Sequence, residues 1–362
     1  MVKINKIKLN NFKNFNTFEI LFDKKTNIFF GINGSGKTNI LESISLISKG
    51  RGLRNANIVN LIKNERENFH INCQLEIKSN QYNVDVFSKK KEYKYIKEIN
   101  LNNDSSKESI NFLNSSLSFL TFLPEMERLF QSSPTFRRNF LDRLIFSEQS
   151  NYNKLINKYK KNVVERSKIL QQNQLDPDWI NVVEKEICAY GLQIYKLRYN
   201  KLDQLNNNIK KLNSLNNYQF DIDLKIKDDF FDSRLNEEKY MSALSETRLY
   251  DKKFGGIRIG PHKTDISATI NNSFDALQLS TGQQKTIVLM LLLAQCDILL
   301  NIKNIKPILL LDEICSHLDS NNRKILLDMI NNFNIQFFLT GTEKTLFSFI
   351  STNVHFYNIT DL

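Results

Sequence analysis

The chain has 362 residues, 41% of them hydrophobic, which is enough for two or three domains with a sizeable core. Its formal net charge of +11 suits a polyanionic partner, because lysines and arginines that neutralise phosphates release counterions. Cys73, Cys188, Cys296 and Cys315 are widely separated without a C-x-x-C spacing, and MLLLAQCDILL falls short of the ~20 apolar residues of a membrane span. A disulfide scaffold, a zinc module and a membrane-embedded chain are therefore excluded, and the expectation is a cytoplasmic protein without membrane contact.

The opening KINKIKLNNFKNFNTFEILF predicts two strands about a turn, with Ile4, Ile7 and Leu9 alternating toward a core and Lys13 in the turn. TNIFF then reads as a buried strand. It runs into GINGSGKT, a full match to the phosphate-binding pattern G-x-x-x-x-G-K-[ST] formed by Gly31, Ile32, Asn33, Gly34, Ser35, Gly36, Lys37 and Thr38. The three glycines let the backbone curl its N–H groups around phosphate oxygens, Lys37 reaches the β- and γ-phosphates, and Thr38 offers a hydroxyl to Mg²⁺. Ile40, Leu41, Ile44 and Ile47 fall on one face of the helix that follows. Strand, loop and helix in this order point to a nucleotide as ligand.

Beyond that helix, Gly50 and Gly52 interrupt KGRGLR, leaving Arg51 and Arg54 free to turn back toward phosphate or adenine. Alternation across residues 69 to 99 predicts a small antiparallel sheet, and NSSLSFLTFLP predicts one more buried strand. From Pro124 to about residue 250 the chain reads as helical and polar. Tyr152, Leu155, Ile156, Tyr159 and Val163 mark one helix, while Ile180, Val183, Ile187, Tyr190, Ile194 and Leu197 mark a second, with QQNQLDPDW as the turn between them. This is a short helical hairpin. KLDQLNNNIKKLNSLNNY reads as a solvated face or a fraying helix end, and the heptads are too brief for a coiled-coil rod.

Strand character returns in IRIGPHKTDISATI. LQLSTGQQKTIVLMLLLAQ then places Ser280, Gly282 and Gln283 at the head of an apolar helix, and KPILLLDEICSHLD is a buried strand ending in Asp312 and Glu313. Two adjacent carboxylates at a strand end suit Mg-nucleotide chemistry, with Asp312 at the metal and Glu313 as general base. His70, His262, His317 and His355 lack metal-ligand spacing and read as structural or surface residues.

Phosphate loop, helical insertion, LSTGQ, DE and SHLD, in that order, resemble the ATP-binding-cassette head, LSTGQ being one substitution from LSGGQ. Within that superfamily the chain resembles the RecF family, bacterial recombination-mediator ATPases, nearly end to end. GINGSGKTNILESISLISKGRGLR, PEMERLFQSSPTFRRNFLD, GPHKTDI and LLLDEICSHLD carry the likeness. The resemblance implies an α/β fold: a cassette head built from both chain ends, residues 1–123 and 251–362, with a helical arm domain at 124–250. It implies that Ser280 and Gly282 touch the γ-phosphate held by a second copy, that Gln283 belongs to the same signature, and that Asp319 helps join two nucleotide sites. The implied function is a weak, DNA-dependent ATPase that dimerises on ATP and binds double-stranded and gapped DNA, with RecR, RecO and RecA as partners. Ser132 and Phe130 depart from the family pattern, no glutamine follows the strand near Pro124, and FLTGTEK has no switch histidine, leaving Thr340 or Thr342 in its place. An ATPase subunit of a transporter or of a chromosome-organising complex is the alternative reading.

Overall fold

The computed structural model describes every residue except 1, 173, 175, 217, 219, 220, 233, 272, 273, 317 and 360–362. In chain order, the first unit opens with β1 (Val2–Phe12), β2 (Phe15–Leu21), β3 (Thr26–Phe30) and α1 (Lys37–Ser45). It continues through β4 (His70–Ile77), β5 (Asn80–Lys91), β6 (Lys94–Leu101), α2 (Lys107–Ser116) and β7 (Phe119–Phe122). The second unit holds α3 (Pro134–Glu148), α4 (Tyr152–Leu170), α5 (Pro177–Asn216), β8 (Ile222–Lys227), α6 (Glu237–Phe254), β9 (Asp265–Ile270) and β10 (Phe274–Asp275). The chain returns to the first unit with α7 (Thr281–Asp297), β11 (Ile308–Leu311), α8 (Ser320–Asn332), β12 (Phe337–Gly341) and β13 (Val354–Asn358).

Two five-stranded sheets build the first unit, an antiparallel one ordered β2-β1-β4-β5-β6 and a parallel one ordered β13-β3-β12-β11-β7. The strands of the first alternate because one face is wet, whereas β3, β11 and β12 are buried almost throughout, as parallel strands covered on both faces are. Ile4 pairs with Leu75 of β4, but the register with β2 begins only at Lys6, so its backbone has no strand partner on that side. Gln336, just ahead of β12 and 1% exposed, satisfies it: Ile4 N donates to Gln336 Oε1 at 2.8 Å and Gln336 Nε2 donates back to Ile4 O at 2.9 Å. The two sheets are thereby pinned at one point. Helix α7 is buried on all sides from Gln284 to Asp297, so it is the core helix of this unit. Through the π-turn Ile298–Ile302 the helical segment spans 22 residues, long and apolar enough by composition to cross a membrane. This corrects the expectation that no stretch approaches that length; 83% of its most apolar window is packed inside the protein.

In the second unit the predicted hairpin is formed by α4 and α5, and Tyr159, Ile180, Val183, Ile187 and Ile194 of the predicted stripes join one core with Tyr195, Tyr240 and Leu244. Two expectations fail. The stretch to Asn216 is neither fraying nor merely solvated: α5 continues through it with Leu205, Ile209 and Leu212 buried. The segment expected to be all helix also contains β8, in a three-stranded sheet ordered β10-β9-β8. Asn206 of α5 grips that strand, accepting from Leu224 N at 2.9 Å and donating to Leu224 O at 3.0 Å.

Compact packing divides the chain at 127/128 and 280/281, so residues 251–280, expected in the head, belong with the helical unit. Arg137 explains the assignment. Its guanidinium forks onto Asp265 of β9 at 2.7 and 2.8 Å, and β9 pairs with β8 along its length. All four cysteines are free and buried, and burial pushes the Cys188 and Cys315 thiols up to about 12.

Candidate nucleotide site

The parallel sheet places three strand ends side by side in the order β3, β12, β11. Each delivers one part of a site: β3 runs into the glycine loop, β12 carries Thr340, and β11 ends just before Asp312 and Glu313. In open α/β sheets the carboxyl ends of parallel strands are where ligands bind.

The loop has the backbone that its sequence demands, with positive φ at Gly31, Gly34 and Gly36 (151°, 87° and 103°). Gly36 caps α1, and a Cβ there would lie 2.6 Å from Asn14 Nδ2. Asn14 braces the loop from the β1–β2 turn, donating to Ser35 O at 3.2 Å and accepting from Asn39 Nδ2 at 2.7 Å. Lys37, 4% exposed, folds back over the loop to donate to Gly31 O at 2.8 Å and Ile32 O at 2.9 Å. Glu313 Oε1 stands 4.0 Å from its ammonium.

Asp312 is the hub. It is 1% exposed and accepts from Thr38 Oγ1 at 2.8 Å, Thr340 Oγ1 at 2.7 Å and Arg54 Nη2 at 3.4 Å. Thr340 also accepts from the Glu313 amide at 2.9 Å, so one hydroxyl fixes both carboxylate residues. Of the two threonines expected at the switch position, Thr340 is buried in this network while Thr342 is exposed. Glu313 sits at φ 51°, an unfavourable backbone for a residue with a Cβ and a recurrent feature of functional sites. Burial raises its carboxyl above the ordinary glutamate value; Lys37 opposes the shift and Asp312 adds to it. Arg54, expected to turn back toward phosphate or adenine, reaches Asp312 with Nη2 while half exposed, and Arg51 is exposed.

Thr38 and Asp312 bring hard oxygen donors to one point, the chemistry Mg²⁺ selects, and Mg²⁺ needs only one or two protein oxygens beside phosphate and water. No cluster of three or more metal-ligating side chains occurs among the described residues, which is compatible with such a sparse site.

Ser280, Gly282 and Gln283 are exposed where the second unit ends and α7 begins. Asp319 caps α8, accepting from Asn322 N at 2.8 Å, and His317 lies outside the described residues. Lys285 was not anticipated: its side chain 4% exposed, it donates to Glu127 Oε1 at 2.6 Å and Ser316 O at 2.8 Å, joining the start of α7 to the segment after Glu313. A lone lysine in an otherwise apolar helix was the available signal, since a buried ammonium needs a partner. Asn14 had no such signal.

A family model described as the RecF/RecN/SMC N terminal domain matches residues 3–361. The DNA replication and repair protein RecF of Agrobacterium fabrum is 30% identical over 367 residues, spanning 99% of this chain and 97% of that protein. A solved structure of the recombination mediator protein RecF with ATP, in the RecFOR pathway, matches with a TM-score of 0.82 at 27% identity, covering 97% of this chain and 94% of that one. The Smc head domain of Pyrococcus furiosus, with an extended coiled coil and the C-terminal domain of ScpA, matches at 0.52 and 18% identity over 96% and 92%, a likeness of fold alone.

Proposed function

The chain belongs to the RecF/RecN/SMC N-terminal domain family as a RecF-type DNA replication and repair protein, and from that premise we propose an ATP-gated, DNA-binding recombination mediator. The observation that carries this reading is Asp312 held between Thr38 and Thr340, with Glu313 facing Lys37. Lys37 offsets the charge of the β- and γ-phosphates, the amides after Gly31 cradle their oxygens, and Thr38 and Asp312 hold Mg²⁺. The ion supplies charge neutralisation on the transferring phosphoryl group. Glu313 accepts the proton of the attacking water, a task for which a carboxyl raised above its ordinary value is the better base. Thr340, an uncharged hydroxyl at the switch position, supports slow turnover, so that ATP acts chiefly as a switch.

The switch is a homodimer in which the signature of one copy caps the γ-phosphate of the other. Gly282 supports it: in the first turn of α7, its absent Cβ would meet nothing within 4 Å. The fold of the protomer gives no reason for a glycine there, whereas close approach of a partner's nucleotide does. The net charge of +11 supports double-stranded DNA, gapped DNA in particular, as the ligand of the closed dimer. Recombination mediation implies action with RecO and RecR in loading RecA. Full-length likeness to RecF leaves the transporter reading without a supporting observation.

Sedimentation velocity with ATP and Mg²⁺, with and without a gapped duplex and across a salt series, tests the proposal. We expect an ATP-dependent dimer whose duplex affinity falls steeply with salt. A protein that stays monomeric and ignores duplex at low salt overturns it.

A further inference from the structure

The second unit contains a cavity of about 100 Å³ that the nucleotide chemistry does not use. Its lining includes Thr135, Arg138 and Asn139 of α3, Lys160 of α4, Arg198 of α5 and His262 of the GPHKTD turn. The volume is well under the ~300–1,000 Å³ of a drug-sized ligand pocket, so it suits a small polyatomic ion rather than a nucleoside.

Its charges are unevenly matched. Arg137 is taken up by Asp265, and Arg198 forks onto Asp142 at 2.9 Å through both Nε and Nη2. Asp142, the carboxylate on the cavity wall, also accepts from Tyr152 Oη at 2.6 Å, so both its oxygens are committed. Arg138 stands beside these two arginines without a carboxylate of its own among the described residues. It donates only to Thr264 O at 2.6 Å and Thr135 Oγ1 at 2.8 Å. Burial, and after it the charge of Arg198, press its guanidinium below the usual range, with Asp265 and Asp142 opposing the shift through space. Lys160, exposed at the mouth, likewise has no ion-pair partner among the described residues.

The wall is preformed. His262 Nε2 donates to Ile257 O at 2.8 Å, which leaves Nδ1 of the neutral ring to accept from Tyr159 Oη at 2.7 Å. Gly260, at φ 118°, lets the turn lie so close to Tyr159 and Tyr240 that a Cβ would come within 2.4 Å of either hydroxyl.

We infer that this cavity binds a phosphate-sized oxyanion, with Arg138 and Lys160 supplying the charge and Thr135 and Asn139 the remaining hydrogen bonds. A guanidinium matches the tetrahedral oxyanion by its paired donors, and the second cation offsets the second negative charge. Inorganic phosphate and a phosphodiester of DNA share this chemistry.

The test follows the imidazole resonances of the full-length protein during titration with inorganic phosphate. His262 reports on the cavity; His70 and His355, in the other unit, serve as controls for shifts that are not local to it. We expect a saturable shift of His262 that becomes at least tenfold weaker in Arg138→Gln, while ATP affinity stays unchanged. Should Arg138→Gln not fold, Lys160→Gln, at an exposed side chain, is expected to weaken the same titration at least threefold. A His262 resonance that phosphate does not move, or one that titrates identically in the folded variant, overturns the assignment. Repeating the titration with duplex DNA assigns the source: displacement of phosphate at His262 upholds the site as one for backbone phosphate, and a duplex that leaves His262 bound to phosphate upholds it as one for the free ion.

Discussion

The nucleotide site of the head and the Arg166 cluster of the helical unit are both charge networks, and they differ in whether the set is closed. Arg166 and Glu184 are 0% exposed. Arg166 donates to Glu184 Oε1 and to Asp251 Oδ2 at 2.7 Å each and to Leu244 O at 2.7 Å, while Arg248 reaches Glu184 from the rim at 2.5 Å. Each of the three nitrogens of that guanidinium donates to a partner inside the protein. Among the described residues the one carboxylate that pairs with Lys37 is 4.0 Å away, its other contacts are carbonyls, and the neighbouring glycines hold positive φ, the backbone that lets a phosphate loop curl its amides inward. One network pairs its charges within the fold and holds helices together; the other is completed from outside. Substitutions should therefore separate catalysis from stability along this line.

Glu313→Gln carries the largest expected effect, a fall of about 10²–10⁴ in the rate of ATP hydrolysis, the usual contribution of a general base. ATP binding should survive, so the variant should accumulate as the ATP dimer. The wild-type pH–rate profile should show an acid limb centred above 4.5, because the folded protein raises this carboxyl and the base works only when ionised. The variant should lack that limb. The same shift fixes the sign for stability. A carboxyl whose folded pKa is raised contributes no penalty below the unfolded value and costs stability as pH rises through the folded one, so at neutral pH the glutamine should not lower the melting temperature. A variant that loses stability but keeps its turnover would place Glu313 with the closed networks.

Arg166→Met is the converse. Removing one partner of a buried ion pair typically costs about 3–5 kcal/mol, because the remaining charge stays buried. Arg248 can still serve Glu184, so Asp251, whose Oδ1 already lacks a partner, bears most of the loss. Denaturant unfolding should report this destabilisation, and nucleotide titration of the molecules that remain folded should report unchanged affinity. Loss of ATP affinity at full stability would break the comparison from the other side.

Thr340→Val tests the one residue that serves both purposes. It deletes a donor to Asp312 and an acceptor for the Glu313 amide, and each buried group left unsatisfied costs about 1–3 kcal/mol. The expected result is a destabilised head together with a lower hydrolysis rate, with ATP affinity nearly retained. Unchanged turnover would remove Thr340 from the positioning of the base.

The contrast also explains what could be read in advance. The strand, glycine loop and helix from Thr26 to Ile47, and the apolar strand ending in Asp312 and Glu313, are contiguous in sequence, so local pattern and chemistry coincide there. The strand β8 was read as part of a helical run because its partner β9 lies some forty residues later and only that pairing satisfies its backbone. The head boundary was misplaced for the same reason: Arg137 and Asp265 meet only in the fold. The pairing of Lys285 with Glu127 and the bracing by Asn14 likewise join segments with no local signature. Ile4 and Gln336, at opposite ends of the chain, exchange two hydrogen bonds that no sequence period encodes.

The smallest expected effect on the protomer belongs to Gly282→Ala, and it sharpens the comparison most, because it adds an atom instead of removing a partner. A Cβ at this position meets nothing within 4 Å, and the residue is exposed in the first turn of a helix, where alanine fits without strain. Within the protomer the substitution should therefore be neutral or slightly stabilising, with the melting temperature and ATP binding of the monomer unchanged. If the proposed dimer closes over ATP with this signature on the nucleotide of the other copy, the added methyl group should weaken ATP-dependent association without touching the residues expected to bind ATP in cis. Light scattering at several protein concentrations separates the two effects. An alanine variant that dimerises on ATP as well as the parent would show that glycine is not required at this contact and would remove the main structural support for capping in trans.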